Sequence, residues 1–367
     1  MGHTSKNRFL DYLIPGFVFQ SILIGGGYGT GVEIFQYFGR YGLVGGLLGM
    51  AIVTVLWSAL CAVTYELCRV FQVYDYKSLM NNLTGKISVL YDVAYVVQMF
   101  IVLGVVSAAA GTLLRDLFGC SQWVGIGLLS ATIALLVLKG TKTIEFFLTF
   151  WSLVLYFIYF LFMIIVFIRF HPNILAEFAK NEIGTGWYMG ALQYTFYNLC
   201  AIPATLFTLQ KLKTRSGRVT AGIFAGIIGI LPGVLLLLLM SCNLPEIASK
   251  VSNTTTPISL IFRMLDKRWL FIAFNIVLFG TLIETGIGFI KAFDDRVEFA
   301  LIRKGKKVAK WVRPVLTFGL VFLGIIISTY GLLDLVAQGY GTTCWLIFIT
   351  YVVPILTLGV YRAFKKA

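Results

Sequence analysis

Ile24-Gly25-Gly26-Gly27-Tyr28-Gly29-Thr30-Gly31 lies halfway along an apolar stretch running from about 11 to 37, and five of these eight residues are glycine. Each glycine inside a helix costs roughly 0.5–1 kcal/mol relative to alanine, so a continuous helix through the run is disfavoured. In mid-membrane, unwound backbone persists only where protein or a water-filled cavity satisfies its N–H and C=O groups. The run therefore predicts a broken span lining a cavity. Close helix packing of the small-xxx-small kind is the plainer use of such glycines, as expected for Gly45 and Gly49 in the next segment. A dinucleotide-binding reading of Gly27-Tyr28-Gly29-Thr30-Gly31 fails, since no strand-helix-strand context surrounds it.

A second interruption is expected at Tyr197-Asn198-Leu199-Cys200-Ala201-Ile202-Pro203, at the matching depth of the sixth apolar segment. Pro203 removes a backbone donor, and Asn198 offers a replacement partner. The two breaks fall five spans apart. Because five is odd, two similar halves would lie inverted relative to each other, which is how many secondary transporters surround a midplane site with discontinuous helices.

The composition fits that reading. Of 367 residues, 59% are hydrophobic and 13% charged, with mean hydropathy +0.88, whereas soluble chains carry about 25% charged residues. Apolar segments lie at about 11–37, 42–68, 88–114, 122–138, 144–168, 187–210, 219–242, 269–293, 314–330 and 340–361. Ten helices of about 20 residues each consume most of the chain. The expectation is an all-α membrane protein with a single transmembrane domain over 1–367, its repeats covering about 9–170 and 185–362. No removable signal peptide is read after the polar start, Met1 to Arg8.

The formal net charge of +14 does not imply nucleic acid, because the basic residues alternate with the loops. With the N-terminus inside, 22 of the 30 Lys and Arg residues fall on the inner side, leaving Arg40, Arg115, Arg169, Lys180, Lys250, Arg263, Lys267 and Arg268 outside. The positive-inside rule then places both termini in the cytoplasm of a multi-pass bacterial inner-membrane protein in contact with the lipid bilayer. The basic run Arg303 to Arg313 fixes this topology and is suited to anionic headgroups.

Catalysis and resident metals find no support. The six cysteines are scattered through apolar segments, with a Cys120–Cys242 disulfide at the outer ends left open. His3 and His171 stand in polar flanks, and no nucleophile-base set is present.

On Gly25 to Phe38 (GGGYGTGVEIFQYF), Tyr194-Thr-Phe-Tyr-Asn198, Leu244-Pro-Glu-Ile247 with Thr256-Pro257, and Gln338-Gly-Tyr340, the chain resembles the YkvI-type family of bacterial membrane transporters. That family falls within the amino acid-polyamine-organocation superfamily, which shares the LeuT fold. The resemblance implies a five-plus-five inverted repeat, a site between spans one, three, six and eight, and uptake driven by sodium ions or protons. Two departures bear on coupling: Val32 stands where the family tends to have a basic residue, and Glu284-Thr285 stands where it has a hydroxyl pair.

Site candidates follow from depth and residue type. Glu284 lies mid-membrane in span eight, where an ionisable group usually faces a cavity, ion or partner. Glu284, Thr285 and Thr281 are assigned to the coupling ion, and the structural alternative is a Glu284 hydrogen-bonded to Thr281 or Gln98. The solute-binding set is Gly25, Gly26, Gly27, Tyr28, Gly29, Thr30, Gly31, Glu33, Tyr95, Gln98, Tyr194, Tyr197 and Asn198. Glu33, opening the outer half of span one, either caps that turn or serves as an outer gate or a contact to a substrate amine. Backbone N–H groups of Gly29 to Gly31 are expected to cradle a carboxylate. The function expected is secondary active transport of a small amino acid or related organic amine by alternating access. A membrane sensor that binds the same ligand without moving it is the alternative, and no protein partner is indicated.

Overall fold

The computed structural model describes residues 5–139, 141–303 and 311–365, with some side chains near 138–156, near 291–313 and at both ends left undescribed. His3 and most of the basic run Arg303 to Arg313 lie outside the described residues. Among those described, the chain is helical, and six helices are long and apolar enough to cross a membrane: Leu43–Phe71, Tyr76–Phe118, Phe157–Ala179, Arg215–Lys250, Arg268–Ile290 and Leu332–Ala363. Three shorter apolar helices cover Phe9–Leu23, Gln122–Val137 and Pro314–Ser328.

The first apolar segment is three pieces: α1 (Ser5–Leu23), α2 (Gly26–Gly29) and α3 (Val32–Tyr37). Next come α4 (Leu43–Phe71), α5 (Tyr76–Thr84), α6 (Ser88–Phe118), α7 (Gln122–Lys139) and α8 (Thr141–Ala179). The sixth segment starts as α9 (Trp187–Asn198) and continues as a 3-10 helix, Leu199–Lys211. Then follow α10 (Arg215–Met240), α11 (Leu244–Lys250), α12 (Pro257–Leu265), α13 (Arg268–Arg303), α14 (Val312–Ser328), α15 (Leu332–Asp334), π turns with α16 (Gly341–Ile347), and α17 (Val360–Lys365). Side-chain caps mark several starts: Asp75 accepts from the Ser78 N–H at 2.8 Å, and Thr214 and Thr256 accept from Gly217 and Ser259 at 3.1 and 3.2 Å.

These helices pack in two groups. In one, α4 and α10 meet each other, α1 meets α10 and the 3-10 helix, and α4 meets α9. Glycine sets the closeness: a Cβ on Gly222 would fall 2.3 Å from the Ala62 nitrogen, and one on Gly226 would fall 2.4 Å from that of Ser58. The other group joins α6, α7, α13 and α14. Outward faces carry large apolar side chains, among them Phe157, Phe160, Ile168 and Phe322, as hydrocarbon surroundings require. Gly45 and Gly49 pack as expected, against Ile183–Gly184 and against Phe38 and Ala191. All six cysteines are free thiols, so Cys120 and Cys242 are not bridged.

One buried cation ties the first group together near the polar ends of α4 and α10. Arg218, 1% exposed, donates from Nε to the Leu212 carbonyl at 2.5 Å and from Nη1 to the Tyr65 carbonyl at 3.2 Å. It thus joins the end of the 3-10 helix to α4. Arg218→Met keeps the bulk and removes these donors. At roughly 1–1.5 kcal/mol per bond, we expect a loss of about 2–3 kcal/mol in stability, read as a lower midpoint in thermal melts of detergent-purified protein. An unchanged midpoint would show that the clasp contributes nothing.

Candidate functional site

Span one breaks because α1 stops at Leu23, where Ile24 and Gly25 leave the helix, and because the chain turns again at Thr30–Gly31. Gly31 has φ +81°, a conformation other residues adopt only at a cost, and it sets the direction of α3. The sixth segment behaves differently from a clean break. Instead of unwinding near Pro203, it tightens from α to 3-10 geometry at Asn198–Leu199 and stays so for 13 residues. Runs of that length are uncommon, and a change of helix type in mid-span is where a hinge is expected. The Asn198 side chain does not serve the carbonyl that Pro203 frees. Its Nδ2 donates one turn back, to the Tyr194 carbonyl at 3.0 Å.

The two interruptions meet at Glu33. This carboxylate is 4% exposed and sits in the first turn of α3, yet it folds back over α2. The Tyr197 hydroxyl, at the end of α9, donates to Oε2 at 2.6 Å, and the Tyr28 backbone also bonds to the carboxylate. Gly27 makes the approach feasible, since a Cβ there would fall 2.4 Å from Oε1. Glu33 therefore does more than cap its own turn. It links the broken span one to the helix-type switch in span six through a charge-assisted bond, the stronger sort.

Around this link lies a small cavity of about 30 Å³, space for one or two waters. Of the sequence candidates, Gly25, Gly26, Glu33, Gln98, Tyr197, Asn198 and Thr285 line it. Gln98, on α6, is 1% exposed. Its Oε1 accepts from the Thr343 hydroxyl, while its Nε2 is buried without a partner among the described residues. A buried donor left unmet costs about 1–3 kcal/mol, so this amide is primed for an acceptor. Thr285 lies against the span-one break, its Oγ1 3.9 Å from where a Cβ on Gly25 would stand.

Other candidates are placed elsewhere. The N–H groups of Gly29, Thr30 and Gly31 donate to the Gly25, Gly26 and Tyr28 carbonyls at 2.8, 3.2 and 2.9 Å, so they are not open to a carboxylate. The short helix closes its own bonds, which glycine spacing alone does not reveal. Tyr28 and Tyr194 are buried and do not line the cavity, Tyr194 packing edge-on to Phe38 at 4.8 Å. Tyr95 stacks on Tyr76 at 5.7 Å, away from the lining. Thr281 is buried and donates to the Val277 carbonyl, and Glu284 is half-buried with a partner of its own, outside the cavity lining. Tyr340 and Phe289 line the cavity and were not anticipated. Tyr340 stacks on Tyr197 at 4.4 Å from a π turn. The one hint was its place in Gln338-Gly-Tyr340, since π turns inside helices often mark functional sites.

No family model and no curated relative matches the chain. Solved structures do. A manganese transporter from Eremococcus coleocola aligns over 97% of this chain and 80% of its own at 16% identity, with a TM-score of 0.60. A sodium-coupled sialic acid symporter in a substrate-bound, outward-open state aligns over 96% and 81% at 12% identity, with a TM-score of 0.61. The chain shares the LeuT-type fold of these proteins, and at these identities the likeness extends to fold alone.

Proposed function

We propose that the chain is a secondary active transporter of a small amino acid or related organic amine, of the YkvI type, built as ten spans in two inverted halves. Its carrying observation is the Glu33–Tyr197 bond across two interrupted helices, sharing one cavity with Gln98, whose Nε2 has no partner among the described residues. Glu33 offers an acceptor to an ammonium group, and Gln98 takes the role first assigned to Gly29–Gly31, donating to a carboxylate or carbonyl oxygen. The cavity must open to admit such a solute. The group α1, α4, α9, α10 moving against α6, α7, α13, α14 would do this by alternating access, pivoting where α1 and α9 change geometry. Both termini are assigned to the cytoplasm of a bacterial inner membrane. Sodium or protons drive uptake, with Thr285 beside the span-one break, aided by Thr281 and Glu284. A sodium-coupled symporter of the same fold supports sodium.

A divalent metal solute, as carried by the manganese transporter, has a poorer donor set here. Among the described residues no group of three His, Cys, Asp or Glu could hold a metal ion, and Glu33 is the one carboxylate lining the cavity. A thermal-stabilisation screen of purified protein across amino acids, primary amines and betaines tests the reading. Amino acids are expected to raise the melting midpoint most. Quaternary betaines, which have no N–H for Glu33, are expected to do so least. Equal stabilisation by betaines, or by none of the set, would contradict the assigned solute.

A further inference from the structure

A second cavity, of about 420 Å³, lies apart from the central site, between α1, α8 and α10. That volume is in the range of small-molecule sites, and its walls are largely apolar. Two polar groups break the pattern. The Tyr159 hydroxyl is buried with no hydrogen-bond partner among the described residues. Gln20, 8% exposed, also lines the cavity and makes no side-chain hydrogen bond among them. The rim residues Phe157, Phe160 and Leu231 are 68, 62 and 52% exposed, which in a membrane-spanning bundle means facing hydrocarbon. Tyr159 lies near the middle of α8, and Gln20 is one turn before the span-one break.

We propose that this lateral cavity binds a neutral amphiphile from the bilayer: an apolar chain bearing a hydroxyl, which accepts from Tyr159 and donates to the Gln20 carbonyl. An unsatisfied buried phenol costs free energy that such a hydroxyl would relieve, the Gln20 amide on the same wall offers it an acceptor, and a chain rather than water fills the apolar remainder. Because Ile24, at the end of α1, also lines the cavity, an occupant rests directly on the hinge and opposes its movement. The test uses the full chain in lipid nanodiscs with a diazirine-bearing long-chain alcohol, photolysis and peptide mass spectrometry. Labels are expected on peptides carrying 157–163 and 231–235, several-fold fewer with the matching alkane diazirine, and competed by unlabelled alcohol. Tyr159→Phe should reduce labelling roughly fivefold. Leu231→Trp, which fills the cavity from the lipid side, should abolish it while leaving central-site ligand stabilisation unchanged. Equal labelling by the alkane probe, labels spread evenly over lipid-facing helices, or labelling unmoved in both variants would overturn the proposal.

Discussion

Replacing Glu33 by glutamine is expected to weaken solute binding by roughly 10- to 100-fold, with the protein still folded. Hydrogen bonds to a charged group contribute about 1.5–3 kcal/mol, and the attraction of carboxylate for ammonium disappears as well. The glutamine keeps the shape and can still accept from Tyr197, whose hydroxyl stands 2.6 Å from Oε2. Loss of binding with a near-native melting midpoint would therefore locate the effect in the solute. Tyr197→Phe should have a milder effect of the same kind, and the double variant should lose less than the sum, because the hydrogen bond that Tyr197→Phe removes is already weakened once its acceptor is an uncharged glutamine. Titration of each purified variant with the best ligand from the stabilisation screen gives the four affinities needed. Strict additivity, or wild-type affinity in Glu33→Gln, would rule out the bridge as part of the site.

Gly27→Ala is expected to be nearly as damaging to binding while costing little stability. The new methyl would occupy space 2.4 Å from Glu33 Oε1 and 2.8 Å from Cγ. The far end of a flexible side chain can move aside, so the fold should persist, helped slightly by alanine's better helix propensity. The carboxylate, however, would be displaced from the cavity. Gly31→Ala makes the useful contrast. There φ is +81° and a Cβ would meet the Met240 methyl at 2.5 Å, so stability should fall by about 1–2 kcal/mol or more. A Gly27→Ala protein that binds normally, measured alongside a destabilised Gly31→Ala, would show that Glu33 tolerates displacement and does not hold solute.

The glycine run was readable in the sequence because five glycines in an apolar stretch have few other physical explanations. Its packing use and its unwinding use turned out to coexist: Gly26 and Gly29 abut α6 and α13 while the chain leaves the helix at Ile24–Gly25. Span six was harder. Pro203 signals a lost donor, but sequence does not distinguish a gap from a 3-10 helix that re-pairs the backbone at i+3. The Glu33–Tyr197 bond joins residues 164 positions apart, so each could be nominated by depth and type but not matched to the other. Tyr340 escaped because tyrosine is common here, with 18 in the chain, and only the π turn aims this one inward. Gly29–Gly31 misled because a short helix with its own closed bonds looks, in sequence, like free backbone.

The most direct measurement is solute accumulation in sealed vesicles reconstituted with the purified chain, under imposed sodium or proton gradients, compared with Glu33→Gln. Wild-type vesicles should concentrate an amino acid or amine above the outside level, lose it when the gradient collapses, and show no accumulation in the Glu33 variant. A wild-type protein that binds the solute yet never concentrates it, or a Glu33→Gln protein that accumulates as well as wild type, would contradict transport through the site at the two interrupted helices.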